Sequence, residues 1–407
     1  MKHIFLIWLA FLFACGYSSS LNAQWVQTSG TSGRVTCFAT KGSKLFAGTN
    51  VGIFASSDSG TSWTETDSGL TDNHVNALVV NGADIFAGTA LAGVSVSTDN
   101  GKSWNAVNAG LADTNTNALV LSGTTLFTGT ESGGIYISTN NGGIWTLADD
   151  GLTNDQIAAF AVNGTTVIAG AYPGGDVFFT TNGGTSWTTS TISAFSTGGI
   201  ISLTVTNTGI YAGTGYGQIY LTTDQGKDWS ESDNGVGASI INALCSVGSN
   251  IFAGTNYGIF VSRDDGLSWT AVDSGLTDTY VCSLFANGPY LYVGTFMDGV
   301  WRRPLTEILT SVKPGSNSVP ASFMLFQNYP NPFNPTTMIG YDVPERSEVT
   351  LAVYDVLGRC VGELVNGEKL PGHYEVTFDA SRLPSGVYLY RLQAGSFSET
   401  KKLVLVK

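Results

Sequence analysis

The chain has 407 residues, 12% of them charged, with 51 glycines and a formal net charge of −13. That length leaves room for two or three domains, and the acidic balance speaks against nucleic acid or an anionic membrane as a partner. Abundant Gly, Ser, Thr and Asn with scarce Lys and Arg suit short strands joined by tight turns, so an all-β protein is expected.

Residues 1–23 read as a signal peptide. Lys2 and His3 precede an apolar run from Ile4 to Cys15, and Leu21-Asn22-Ala23 offers a cleavage site before Gln24. The run is short for a membrane span. Leu12-Phe13-Ala14-Cys15 is an alternative lipoprotein site, with Phe13 fitting that pattern poorly. No other segment reads as membrane-spanning, so any membrane association is expected to be indirect, through surface attachment.

From Trp25 to Arg303 one unit recurs. Six times the chain writes S/T-x-D/N-x-G-x-x-W, and the tryptophans Trp63, Trp104, Trp145, Trp187, Trp229 and Trp269 are spaced by 41, 41, 42, 42 and 40 residues. A period this regular marks an array of one supersecondary unit. Each period holds four short apolar stretches, as in Val75–Val79, Ile85–Thr89, Val94–Ser97 and the stretch opening at Trp104. Four strands per unit of about 41 residues, arranged radially, is the pattern of a β-propeller.

The first strand recurs seven times, starting at Val35, Val75, Thr116, Ile157, Ile200, Ile241 and Val281. The seventh unit has no box and no fourth strand after Val300-Trp301-Arg302-Arg303. Trp25-Val26-Gln27-Thr28-Ser29-Gly30 matches the fourth strand of a repeat, so the N-terminus is expected to complete the last blade and close the ring. The reading is a seven-bladed propeller over 24–305 with one-plus-three closure, expected to be a monomer.

In each box the Ser/Thr and Asp/Asn side chains can bind turn backbone, and the Gly can supply positive φ. Asp58, Asp99, Asn140, Asn182, Asp224 and Asp264, with the six tryptophans, are therefore read as structural. The boxes resemble the Asp-box (BNR) repeat found in sialidases, sortilin-type receptors, xyloglucan-degrading hydrolases and photosystem II assembly factors. That resemblance implies fold and says little about function.

Residues 24–305 hold 8 Lys+Arg against 21 Asp+Glu and a single histidine, His74. A His-built metal site or a catalytic triad is therefore not expected, and neither metal nor cofactor is assigned. The arginines Arg34, Arg263, Arg302 and Arg303 do not suggest the cluster a sialidase uses for its substrate carboxylate. A glycosidase would need two carboxylates about 5–10 Å apart. Asp72, Asp113, Glu131, Asp155, Asp278 and Asp298 lie in the loops opposite the boxes and are the candidates. The same loops carry Tyr172, Tyr216, Tyr257 and Phe296, with Tyr280 entering the last blade. These aromatics are expected to form a crescent on half of the rim, beside Asp278 and Asp298, suited to a glycan or a protein. Cys37, Cys245, Cys282 and Cys360 show no disulfide spacing and are expected to be free, buried thiols.

Residues 306–319 read as a linker. In 320–407, strand-like runs Met338–Val343, Val349–Tyr354, Tyr374–Phe378, Gly386–Leu392 and Lys401–Val406 are separated by turns at Gly358, Gly367 and Gly372. They suit a small Ig-like β-sandwich. The run Asn328-Tyr329-Pro330-Asn331-Pro332-Phe333-Asn334-Pro335, with Val353–Gly358, Leu383–Tyr388 and Thr400–Leu403, resembles the type A C-terminal sorting domain of type IX secretion cargo. The resemblance implies the type IX machinery as a partner of 320–407 and delivery through the outer membrane to the surface or the medium.

The reading that follows is an exported, non-catalytic propeller binding a glycan or protein through its loop face. A glycoside hydrolase with a loop-face carboxylate pair is the alternative, and an assembly scaffold a second.

Overall fold

The computed structural model describes residues 24–192, 198–238, 240–309, 322–326, 328 and 331–407. The expected signal peptide, 1–23, lies outside them. Two compact units divide near Ile308.

Seven four-stranded antiparallel sheets make up the described part of the first unit. Blades one to six span 35–65, 75–106, 116–147, 157–191, 200–231 and 241–271, each with its strands in sequence order. The seventh is Val281–Asn287, Tyr290–Thr295 and Val300–Pro304, completed by Val26–Gln27 from the N-terminus. Val26 lies opposite Arg302 and Gln27 opposite Trp301, which is the expected closure. Each innermost strand packs against that of the next blade, and the last packs against the first.

The second strands are buried on both faces, because each lies between neighbouring sheets. Their glycines make the fit possible. A Cβ on Gly48 would come within 2.8 Å of Val75, the first residue of the next blade. Inner strands therefore approach more closely than a larger residue would allow.

Each box works as a turn clasp. In the second, Ser97 Oγ donates to Asp99 Oδ1 (2.9 Å) and accepts from Gly101 N (2.8 Å), while Asp99 also accepts Ser103 N (2.9 Å) and Ser103 Oγ (2.6 Å). These donors hold the Asp99 carboxyl down at about 2, the Ser103 bonds contributing most. Asn100 and Gly101 both have positive φ, 65° and 86°. A Cβ on Gly101 would come within 2.7 Å of the Phe46 ring in the preceding blade. The box glycine thus answers a close approach as well as a turn, which the motif alone does not reveal.

The tryptophans link the blades into a belt. Trp104 Nε1 donates to Thr66 O (2.7 Å), Trp145 Nε1 to Val107 O (2.7 Å) and Trp187 Nε1 to Ala148 O (2.8 Å), each reaching the residue just after the fourth strand of the preceding blade. Trp63 reaches Thr28 Oγ1 (3.0 Å) in the N-terminal segment, and Trp25 reaches Val272 O (2.6 Å) just after the fourth strand of blade six. The belt therefore closes through Trp25, itself only 4% exposed.

The expected linker, 306–319, starts differently. A short helix, Leu305–Leu309, follows the last strand, with Ile308 fully buried and its carbonyl accepting Arg263 Nη2 (2.6 Å). An apolar Ile at that position anchors the chain where the surrounding polarity suggests a tether. Residues 310–319 lie outside the described residues.

The second unit is a sandwich of a three-stranded sheet (Met324–Leu325, Thr336–Val343, Gly372–Asp379) and a four-stranded one. The latter runs Cys360–Lys369, Ser347–Asp355, Gly386–Ala394, Phe397–Leu405. Tyr341, Val353, Tyr390 and Leu403 fill the core between them. The strand Cys360–Lys369 falls where the sequence suggests turns, and Gly367 lies inside it. As an edge strand with no fully buried residue, it carries no apolar alternation to reveal it.

Candidate functional site

The loop face centres on a funnel of about 410 Å³ at the mouth of the ring. Its wall is built from one position in each blade, the second residue of the innermost strand. Thr36, Asn76, Asn117 and Asn242 supply polar groups there, and Ala158, Ile201 and Cys282 do not. In every innermost strand the register slips at this residue, between Val35 and Cys37 and at the six equivalent places. The bulge leaves the second residue unpaired and re-aims it, here into the funnel.

Above this ring stand Arg34, Gln156 and Tyr280, each directly before an innermost strand, and Glu131 and Tyr172, each directly after a second strand. Glu131 Oε2 accepts Asn117 Nδ2 (2.9 Å), and its Oε1 accepts Gln156 Nε2 (2.7 Å). Arg34 Nη2 lies 3.4 Å from His74 Nε2. Burial pushes the Cys282 thiol up to about 12, against the pull of the Arg34 charge. A thiol held protonated in this way is a weak nucleophile, and Cys282 serves the funnel as a wall residue.

The expected aromatic crescent is divided. Tyr172 and Phe296 are the first residues after their second strands, whereas Tyr216 and Tyr257 are one position later. Tyr172 and Tyr280 line the funnel. Tyr216 and Tyr257 do not, and are 55% and 60% exposed. The Phe296 ring lies 5.2 Å from that of Tyr280. Tyr172 and Tyr216 also rest against Gly199 and Gly198, where a Cβ would stand 2.5 Å from each.

The loop acids are occupied in structure. Asp278 Oδ1 accepts Tyr280 N (3.0 Å) and its Oδ2 accepts Met297 N (2.7 Å), tying the entry loop to the loop between strands two and three. Asp298 Oδ2 accepts Thr277 Oγ1 (2.6 Å). Asp72 makes the same clasp in blade two, to His74 N and Leu91 N, and Asp113 in blade three, to Asn115 N and Ser132 N. Burial pushes the Asp113 carboxyl up, but the Asn115 and Ser132 amides outweigh it and hold it below the usual range. A lowered carboxylate is the opposite of a proton donor. Asp155 is exposed, and Glu131 is the expected acid that reaches the funnel.

Among the described residues no group of three or more His, Cys, Asp or Glu could hold a metal, and no helix is long and apolar enough to cross a membrane. The four cysteines among the described residues are unpaired. Cys360 is exposed, contrary to the expected burial, because it opens an edge strand.

Residues 327–407 match the family described as the secretion system C-terminal sorting domain. No curated protein matches the chain. Three solved structures are similar to it. YCF48 bound to D1 peptide is 15% identical over 70% of this chain and 95% of that one, with a TM-score of 0.57. PorZ, a surface component of the type-IX secretion system of Porphyromonas gingivalis, is 13% identical over 93% of this chain and 60% of that one, at 0.53. The WD40 beta propeller domain of Doa1 is 13% identical over 69% and 96%, at 0.54. At such identities the likeness is one of fold. The sorting domain marks the chain for export by the type IX system to the cell surface or beyond it.

Proposed function

We propose that this exported propeller is a non-catalytic binding module whose ligand, a glycan or a protein segment, enters the central funnel of the loop face. The funnel carries the proposal: it is concave, about 410 Å³, and combines Tyr172 and Tyr280 with Arg34, Glu131 and three Asn amides. Few polar groups converging beside aromatic walls is the usual make-up of a ligand site. The six boxes act as Asp-box staples on the opposite face, leaving the loops free to vary. The type IX machinery is the partner of the tail, and the propeller works as a monomer. A hydrolase finds no support, since Asp72, Asp113, Asp278 and Asp298 are spent clasping loops. A Tyr172→Ala/Tyr280→Ala double variant that folds should lose binding across a panel of glycans and peptides. Unchanged binding to every ligand retained by the parent protein would refute the assignment.

A further inference from the structure

Side chains along the innermost strands clasp blade to blade. Thr36 Oγ1 donates to Val75 O, Asn76 Nδ2 to Thr116 O (3.0 Å), Ser202 Oγ to Ile241 O (2.9 Å), Asn242 Nδ2 to Val281 O (2.8 Å) and Ser283 Oγ to Val35 O (2.8 Å). Each acceptor is the first residue of the next innermost strand. The circuit breaks at blades three and four. Asn117 there gives its amide to Glu131, and blade four offers Ala158 and Ala159, which have no side-chain donor.

The break costs a structural hydrogen bond and yields an oriented carboxylate. Glu131 is held by one amide on each oxygen, and Tyr172 of the next blade lines the same funnel. Each carboxylate oxygen has a further lone pair to offer. Positions equivalent to Glu131 elsewhere hold Asn50, Ala90, Tyr172, Gly215, Asn256 and Phe296, none charged. Two blade steps around the ring stands Arg34, at the entry to blade one, and Tyr280 at the entry to blade seven lines the same funnel. Among the described residues no carboxylate forms an ion pair with Arg34. The funnel thus presents one fixed negative and one fixed positive charge, apart from each other, in a unit that has few cations to spare.

We infer that the funnel binds a short peptide with both termini free: the ammonium on Glu131 against the Tyr172 ring, the carboxylate on Arg34 beside Tyr280. This rests on the funnel being the binding site, as proposed above, and adds the ligand's chemistry. Two complementary charges favour a zwitterion over a neutral sugar, whose hydroxyls would hydrogen-bond both groups and neutralise neither. Glu131 is tied to Asn117 and Gln156 of blades three and four, whereas Arg34 enters at blade one, and an extended chain, at about 3.3–3.6 Å per residue, offers its two end charges a longer reach than a free amino acid has.

The test is calorimetric titration of the full mature chain with trialanine, its N-acetyl and C-amide forms, free alanine and neutral oligosaccharides. Trialanine should bind, and each cap should weaken it at least tenfold. Glu131→Gln should abolish the penalty for the N-acetyl cap alone, and Arg34→Gln that for the C-amide alone, with melting temperatures confirming folded variants. Caps without effect, no binding of trialanine, or equal binding of free alanine would each overturn the inference. An oligosaccharide that binds the parent and is lost in Tyr172→Ala would overturn the peptide and leave the funnel standing. Binding of any ligand that survives Tyr172→Ala, Glu131→Gln and Arg34→Gln together would remove both.

Discussion

Single residues do two kinds of work in this molecule, and the box glycine shows how they combine. Gly101 sits at φ 86° with the Phe46 ring where its Cβ would be, whereas Gly82, at φ 57°, has open space around it. Gly101→Ala is expected to cost about 2–3 kcal/mol and Gly82→Ala about 1, measured by urea unfolding. Equal costs would show that the approach of Phe46 adds nothing to the turn. The box carboxylates have a pH signature of their own. Hydrogen bonds to Ser62 and Ser103 hold Asp58 and Asp99 below the ordinary value of an unfolded aspartate, about 3.9. Groups held low stabilise the fold above that value and cease to do so as the pH falls through their folded range. The urea midpoint should therefore decline from about pH 4 toward 2. Asp58→Asn/Asp99→Asn should flatten that decline, since Asn140 and Asn182 keep the turn with an amide oxygen. An unaltered acid limb in the double variant would exclude Asp58 and Asp99 as its source.

At the scale of elements, the seventh blade depends on a two-residue strand more than 270 positions away in sequence. Val26–Gln27 covers the Val300–Pro304 edge, and Trp25 joins the belt. Burying one Trp removes about 150–250 Å² from water, at most ~4–6 kcal/mol. Deletion of 24–30 should lower the melting temperature sharply and bring concentration-dependent aggregation through the bared edge. An unchanged melting temperature would show the ring to be held without its closing strand. The repeat made these strands legible. Each first strand begins where the pattern sets it, because a buried β-branched residue (Val, Ile or Thr) must face the Gly of its neighbour. The funnel wall was not legible. Its residues, from Thr36 to Cys282, look like ordinary strand positions until a bulge turns them inward. For the same reason Tyr172 and Tyr216 read as one row, although a single position of offset separates their directions.

For the whole molecule, the sorting domain and the proposed binding funnel reside in different units. A stop codon at position 320 should leave the propeller in the periplasm, and restoring 320–407 should return it to the surface or medium. Secretion of the truncated chain would contradict the sorting role of the tail. The sequence by itself determined the all-β architecture, the number of repeats, their closure through Trp25 and the sorting tail. Those features are local and periodic, set by spacing, turn chemistry and short motifs. Tertiary structure alone decided what the loop face offers. Glu131 and Arg34 lie 97 residues apart and become the two charges of one funnel only when the ring closes. The hydrogen bonds that Asp72, Asp113 and Asp278 accept from loop amides, and Asp298 from the Thr277 hydroxyl, join loops that sequence alone does not pair. Periodicity records what every blade must do to pack, whereas a site is made where one blade departs from that and a distant blade answers it.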